Sequence, residues 1–159
     1  SHNVYAYALR EGQVRRYSDD GEPQGTAGVP VLDVLQKQEI VDAVVVVTRY
    51  FGGTLLGAGG LVRAYTEGAS IAVRAARPRR MQPCTVLELG IEYPQYGRVS
   101  YLLPQYRAVT LDSDFGAAVR LRVMLPDGQV APFCKELAEA TGGAARPEER
   151  DHLYAEIPD

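Results

Sequence analysis

Three acidic side chains and two arginines stand among closely spaced glycines in the first half of this sequence, and their types point to the chemistry of anions. Asp19, Asp20 and Glu22 lie in the segment SDDGEPQGTAG (18–28), which holds three glycines and a proline in eleven residues. No regular element accommodates that composition, so the segment reads as a loop. Arg49 and Arg63 bracket a second segment, RYFGGTLLGAGGLVR (49–63), with Gly52, Gly53, Gly57, Gly59 and Gly60 inside it. Glycine lets the backbone approach a ligand closely. A strand passing through such a loop into a helix offers unpaired N–H donors at the helix's positive end. The expectation is an anion site, above all for phosphate. Other readings stay open at this point. The acidic loop can hold a hard cation such as Mg²⁺, which prefers carboxylate oxygens, or form a solvated turn whose Asp side chains bond the local backbone. The glycines also permit tight strand-to-helix packing with no ligand. Two nucleotide motifs are excluded by spacing: no Gly-Lys-Ser/Thr closes the glycine run, and no acidic residue follows about 20 positions later in a βαβ unit.

The elements that must position these residues follow from periodicity. Residues 4–9 and 14–17 read as two antiparallel strands around a turn at Glu11-Gly12. Pro30 suits the first turn of a helix running to about Gln38. Residues 40–47 are nearly continuous and β-branched, which predicts a strand buried on both faces. Residues 61–76 form the longest helical stretch, with Leu61, Ala64, Tyr65, Gly68, Ile71 and Ala72 on its expected buried side. Residues 77–83, with two prolines and three arginines, read as a short stiff linker. Beyond it the order changes. Strand 85–93 is followed by a helix from Pro94, strands 109–111 and 117–125, a turn at Pro126-Asp127-Gly128, a helix 133–141 closed by Gly142-Gly143, and a strand 152–157. The order βαββαβ matches the ferredoxin-like motif. Two domains are therefore expected, residues 1–80 and 84–159.

The bulk properties agree with a globular chain of 159 residues. No apolar run approaches the ~20 residues that span a bilayer, so no membrane contact is expected. Cys84 and Cys134 have no metal-ligand spacing. They read as reduced thiols of a cytoplasmic protein. The net charge of −3 is unevenly spread. Residues 1–83 hold 10 Lys/Arg and 8 Asp/Glu, whereas residues 84–159 hold 7 and 12. Arg74, Arg77, Arg79 and Arg80 form a basic cluster at the boundary, either a solvated linker or part of a face toward nucleic acid.

Taken together, SDDGEPQGTAG (18–28), VTRYFGG (47–53), Leu56-Gly57 and GGLVRAY (59–65) closely resemble the IMPACT/YigZ family, and His2-Asn3 and Ala6-Tyr7 also look like it. The resemblance covers residues 1 to about 76 densely and the second half less specifically. It implies an α+β protein: an N-terminal domain like domain 2 of ribosomal protein S5, then a ferredoxin-like domain like the last domain of elongation factor G. It also implies a further N-terminal segment, so that a strand and helix of the first domain are expected to be missing here. Eukaryotic relatives regulate translation under amino-acid stress through an additional N-terminal domain that this sequence does not show. The resemblance attaches no secure catalytic activity, cofactor or catalytic residue.

Two functions from different classes follow. One is a translation-linked binding module that contacts RNA, the ribosome or a translation factor. The other is a Mg²⁺-dependent enzyme acting on a phosphorylated small molecule, by analogy with kinases of similar fold. The missing Lys after the glycines weighs against phosphoryl transfer. In either case Asp19, Asp20, Glu22, Arg49, Gly52, Gly53, Gly59, Gly60 and Arg63 are expected to converge. Three carboxylates beside an anion loop need arginines or a cation between them, because like charges repel. The surviving alternative has the arginines bracing the carboxylates within the fold.

Overall fold

The computed structural model describes residues 1–158. It is a mixed α+β structure with two antiparallel sheets and four α-helices among the described residues. The chain divides into two compact units, Ser1–Pro78 and Arg79–Asp159.

In the first unit, β1 (His2–Ala8) is central, with β2 (Arg15–Ser18) on one side and β3 (Ala43–Arg49) on the other. Alternation along β1 turns Val4, Ala6 and Ala8 to the core. Two helices cover that face. Helix α1 (Gly28–Lys37) buries Val31, Val34 and Leu35 at helical spacing. Helix α2 (Gly57–Ala76) buries Leu61, Tyr65, Ala69 and Val73, one residue per turn. Two glycines are needed for close approach. A Cβ at Gly28 would lie 2.5 Å from the Tyr17 ring, and one at Gly68 would lie 2.9 Å from Val47 Cγ1.

Several sequence expectations change here. Strand β3 is not buried on both faces: Val45 points into the core, whereas Val44 and Val46 are 63% and 57% exposed. Both helices lie on one side of the sheet, so a valine run alone does not bury the other side. On α2, Ile71, Ala64 and Ala72 are exposed, and the buried stripe runs instead through Ala69 and Val73. The helix also begins earlier than expected, so Gly57, Gly59 and Gly60 belong to its first turn rather than to a loop.

In the second unit, β4 (Met81–Ile91) pairs with β6 (Val119–Pro126) and β7 (Glu148–Glu156), and β5 (Val109–Phe115) lies outside β6, giving the order β5-β6-β4-β7. Helices α3 (Tyr93–Leu102) and α4 (Asp127–Thr141) supply Val99, Phe133 and Leu137 to a core shared with Leu87 and Leu89 of β4 and with Val119, Leu121 and Val123 of β6. On the opposite face of the sheet Cys84, Val86, Met124 and Ile157 form a smaller cluster. Cys84 is fully buried and Cys134, on α4, is half-buried; both are free thiols.

The expected turn at Pro126-Asp127-Gly128 is the start of α4. Pro126 is extended at the N-cap, and the Asp127 carboxylate stands where the helix dipole favours negative charge. Pro132 lies inside the helix and removes one N–H donor from it. The helix ends at Gly142, with φ 62°, where the Gly143 N–H donates to the Ala138 carbonyl at 2.9 Å. The linker is shorter than expected, because β4 already begins at Met81.

Candidate functional site

The acidic loop is held by its own carboxylates, each with a different task. Asp19 accepts backbone N–H bonds from Gly25 at 3.0 Å, Ala27 at 3.3 Å and Gly28 at 2.8 Å. It therefore closes the loop onto the start of α1, where no side chain of the N-cap residue does so. Asp20, at φ 43°, accepts the Asn3 N–H at 2.7 Å. The Asp20 carbonyl takes a 2.8 Å bond from His2 Nδ1, which must carry the proton to donate it.

Glu22 turns inward and is 7% exposed. Arg49, at the end of β3, donates to it through Nε at 2.6 Å and Nη2 at 3.0 Å. The Tyr65 hydroxyl on α2 donates to Oε1 at 2.8 Å, and His2 Nε2 lies 3.8 Å from the same oxygen. Loop, strand and helix thus meet on one carboxylate. The bidentate geometry is the strong form of a charge-assisted pair. The Arg49 hydrogen bonds hold the Glu22 carboxyl below its ordinary value against the opposing effect of burial. The same bonds raise Arg49. Burial, then the bond to Glu22, pushes Tyr65 up to about 12.

The glycine segment is arranged differently. Residues 50–56 connect β3 to α2 and are exposed, with Tyr50 at 79% and Leu55 at 88%. Gly52 and Gly53 have nothing within 4 Å of an added Cβ, and the same holds for Gly57 and Gly59, whereas Gly60 meets Leu56 Cβ at 3.1 Å. The Arg49 guanidinium sits 5.8 Å from the centroid of the Phe51 ring. Arg63, on the outer surface of α2, reaches back to the Gly59 carbonyl at 3.4 Å. The nine expected site residues are therefore distributed over three places. Glu22 and Arg49 are joined. Asp19 and Asp20 serve the loop and β1. Gly52, Gly53, Gly59, Gly60 and Arg63 lie along the exposed connection and the first turns of α2.

Tyr65 and His2 belong to the inner cluster but are not among the expected site residues. A tyrosine on the buried stripe of a helix needs a partner for its hydroxyl, and that requirement is the available signal. Outside this region, the buried Thr85 hydroxyl donates to Asp127 at 2.7 Å and contacts His152 Nδ1 at 3.2 Å. With its proton directed to Asp127, Thr85 ties β4 and β7 to the start of α4. Arg79 of the basic cluster pairs with Glu156 at 2.6 Å. No helix among the described residues is long and apolar enough to cross a membrane.

Comparison with known proteins places these features in a family. Residues 1–73 match the model of the Impact N-terminal domain, and residues 89–144 match a domain of unknown function (DUF1949). IMPACT family member YigZ of Escherichia coli is 42% identical over 139 residues, covering 87% of this chain and 68% of YigZ. IMPACT family member YvyE of Bacillus subtilis is 32% identical over 157 residues, covering 98% of this chain and 72% of YvyE. A crystal structure described as that of a hypothetical protein is similar with a TM-score of 0.52 and 38% identity, over 94% of this chain and 74% of that one. The chain belongs to the IMPACT family.

Proposed function

We propose that this protein is a translation-linked binding module that contacts single-stranded RNA through the connection between β3 and α2. One observation carries the reading: Tyr50, Phe51, Leu55 and Leu56 are all exposed in a stretch with no carboxylate from Ala43 to Thr66. Exposed aromatic rings stack on bases whatever the sequence, and a segment without carboxylates of its own does not repel the phosphate backbone. Arg63, Gly59 and Gly60 on the first turns of α2 supply the anion side of the contact, and Gly52 and Gly53 leave the backbone open to it. Glu22 and Arg49 have a supporting role, fixing the end of β3 from which the aromatic segment departs.

The same reading assigns the first unit to the class of ribosomal protein S5 domain 2 and the second to the ferredoxin-like class. The strand order β5-β6-β4-β7 with two helices on one face supports the second assignment. The free thiols support a cytoplasmic location. The Mg²⁺-dependent enzyme gains no specific observation, since the carboxylates of Asp19, Asp20 and Glu22 are all engaged by donors of the protein itself.

The test is fluorescence polarisation of a labelled single-stranded RNA of about 12 nucleotides, within the span that such modules cover, against the wild type and the Tyr50→Ala/Phe51→Ala double variant. Loss of one stacked base costs about 1–3 kcal/mol, so the double variant is expected to bind at least roughly tenfold more weakly with an unchanged melting temperature. Arg63→Ala is expected to flatten the salt dependence by a slope of about 0.7. Equal affinity of both variants and the wild type overturns the assignment of RNA to this segment. Replacing Arg74, Arg77, Arg79 and Arg80 together by Ala tests the basic cluster separately.

A further inference from the structure

Helices α1 and α2 leave a groove of about 360 Å³ between them, within the range of ~300–1,000 Å³ that small-molecule sites occupy. Val29, Pro30 and Val34 of α1 and Val62 of α2 supply its apolar lining. Asp33 and Lys37 of α1 and Thr66 and Ser70 of α2 supply polar groups. Both walls come from residues 25–70. Val62, Thr66 and Ser70 stand on one flank of α2, whereas Gly68, which meets Val47 of β3, stands on the other. Chain added beside β3 therefore lies on the far side of α2 from the groove.

Two charges in this groove have no partner. Asp33 and Lys37 are four residues apart on α1, with the acid first, the spacing and order at which opposite charges on a helix pair. Among the described residues neither takes part in an ion pair or a side-chain hydrogen bond. An ionised carboxylate only accepts hydrogen bonds, and an ammonium only donates them. A planar ring entering between the apolar walls must therefore offer neighbouring donors to Asp33 and an acceptor to Lys37. Guanine alone among the RNA bases does so: N1–H and the 2-amino group lie side by side, and O6 follows. Adenine sets the N1 lone pair against the carboxylate. Uracil flanks its single N3–H with two carbonyl oxygens, and cytosine places its amino group beside the acceptors N3 and O2.

We propose that the groove between α1 and α2 is a slot for one guanine base of the bound strand, with Asp33 on N1–H and the 2-amino group and Lys37 on O6. The proposal rests on the RNA reading above and adds to it a base preference, which stacking on Tyr50 and Phe51 does not supply. The position of the slot fits that reading. Val62 lies one turn beyond Gly59 and next to Arg63, so a strand crossing the first turns of α2 passes the mouth of the groove. A base splayed out of a single strand is the form in which its Watson–Crick edge is open to side chains.

Fluorescence polarisation on the full chain compares two labelled RNAs of about 12 nucleotides, oligouridine and the same strand with one central guanosine. The wild type is expected to bind the guanosine strand about tenfold more tightly. Inosine in place of the guanosine removes only the 2-amino group and is expected to forfeit most of that gain. Asp33→Asn, which turns a donor toward N1–H, and Val62→Phe, which fills the slot, are each expected to bring the two affinities together. Both positions are exposed, so circular dichroism melting is expected to show folded variants. Equal affinity of the wild type for the two strands overturns the slot and leaves the stacking segment standing. A guanosine preference that survives both variants also overturns it, by placing the contact elsewhere. Binding of neither strand overturns the RNA reading itself, and the slot with it.

Discussion

Glu22 is the residue on which the first unit depends most, because three elements meet at one buried carboxylate. Removing a donor leaves the others, whereas removing the guanidinium leaves a buried charge without its counterion. Tyr65→Phe is accordingly expected to cost about 1 kcal/mol, and Arg49→Ala to lower the melting temperature further, both read by thermal denaturation. The pH dependence has a definite sign. Glu22 titrates below its ordinary value of 4.5 in the folded protein, so its stabilisation is fully present above that value and is lost as the pH falls through the lowered one. Between wild type and Glu22→Gln, the wild type should lose more stability on acidification below an ordinary carboxyl value of 4.5. Parallel melting curves against pH would assign the acid sensitivity to other groups.

Among the elements, α2 shows how differently two glycines of one helix behave. At Gly68 an added Cβ would meet Val47 at 2.9 Å, and a β-branched neighbour has little rotamer freedom with which to yield. Gly68→Ala is therefore expected to destabilise by about 1 kcal/mol despite the gain in helix propensity. At Gly59 the space is open, so Gly59→Ala should stabilise by up to about 1 kcal/mol. Denaturant midpoints of the two variants are expected to move in opposite directions. This contrast also marks what is legible in the sequence. Periodicity locates α1, β1 and the second unit's βαββαβ order, because patterns such as Val31, Val34 and Leu35 report burial directly. It misreads Val44, Val46 and Ile71 because a run of apolar residues does not state how many layers cover it. It also puts Gly59 and Gly60 in a loop, since glycine composition favours a loop even where the backbone is helical. The acidic loop is recognisable as a loop, but composition cannot tell a carboxylate that binds a ligand from one that, like Asp19, binds three N–H groups of its own loop.

At the scale of the whole chain, the two units differ in charge as well as in sheet. Residues 1–78 hold 8 Lys/Arg and 8 Asp/Glu, so the acidic excess lies in residues 79–159. RNA binding, on the function proposed here, belongs to the first unit and gains nothing from the charge of the second. A fragment of residues 1–78 is expected to fold on its own and to bind the RNA oligonucleotide at least as tightly as the full chain, measured by polarisation at matched salt.

Both thiols of the chain lie in the second unit, and residues 1–78 contain no cysteine. Burial raises Cys84 above its ordinary value, as it does Cys134, and the thiolate is the reactive form. Alkylation of Cys84 near neutral pH therefore waits for the sheet around it to open. The rate at which a maleimide or iodoacetamide consumes that thiol is a clock for the opening of the second unit alone, and it runs without reporting on anything that happens at Glu22, β3 or α2.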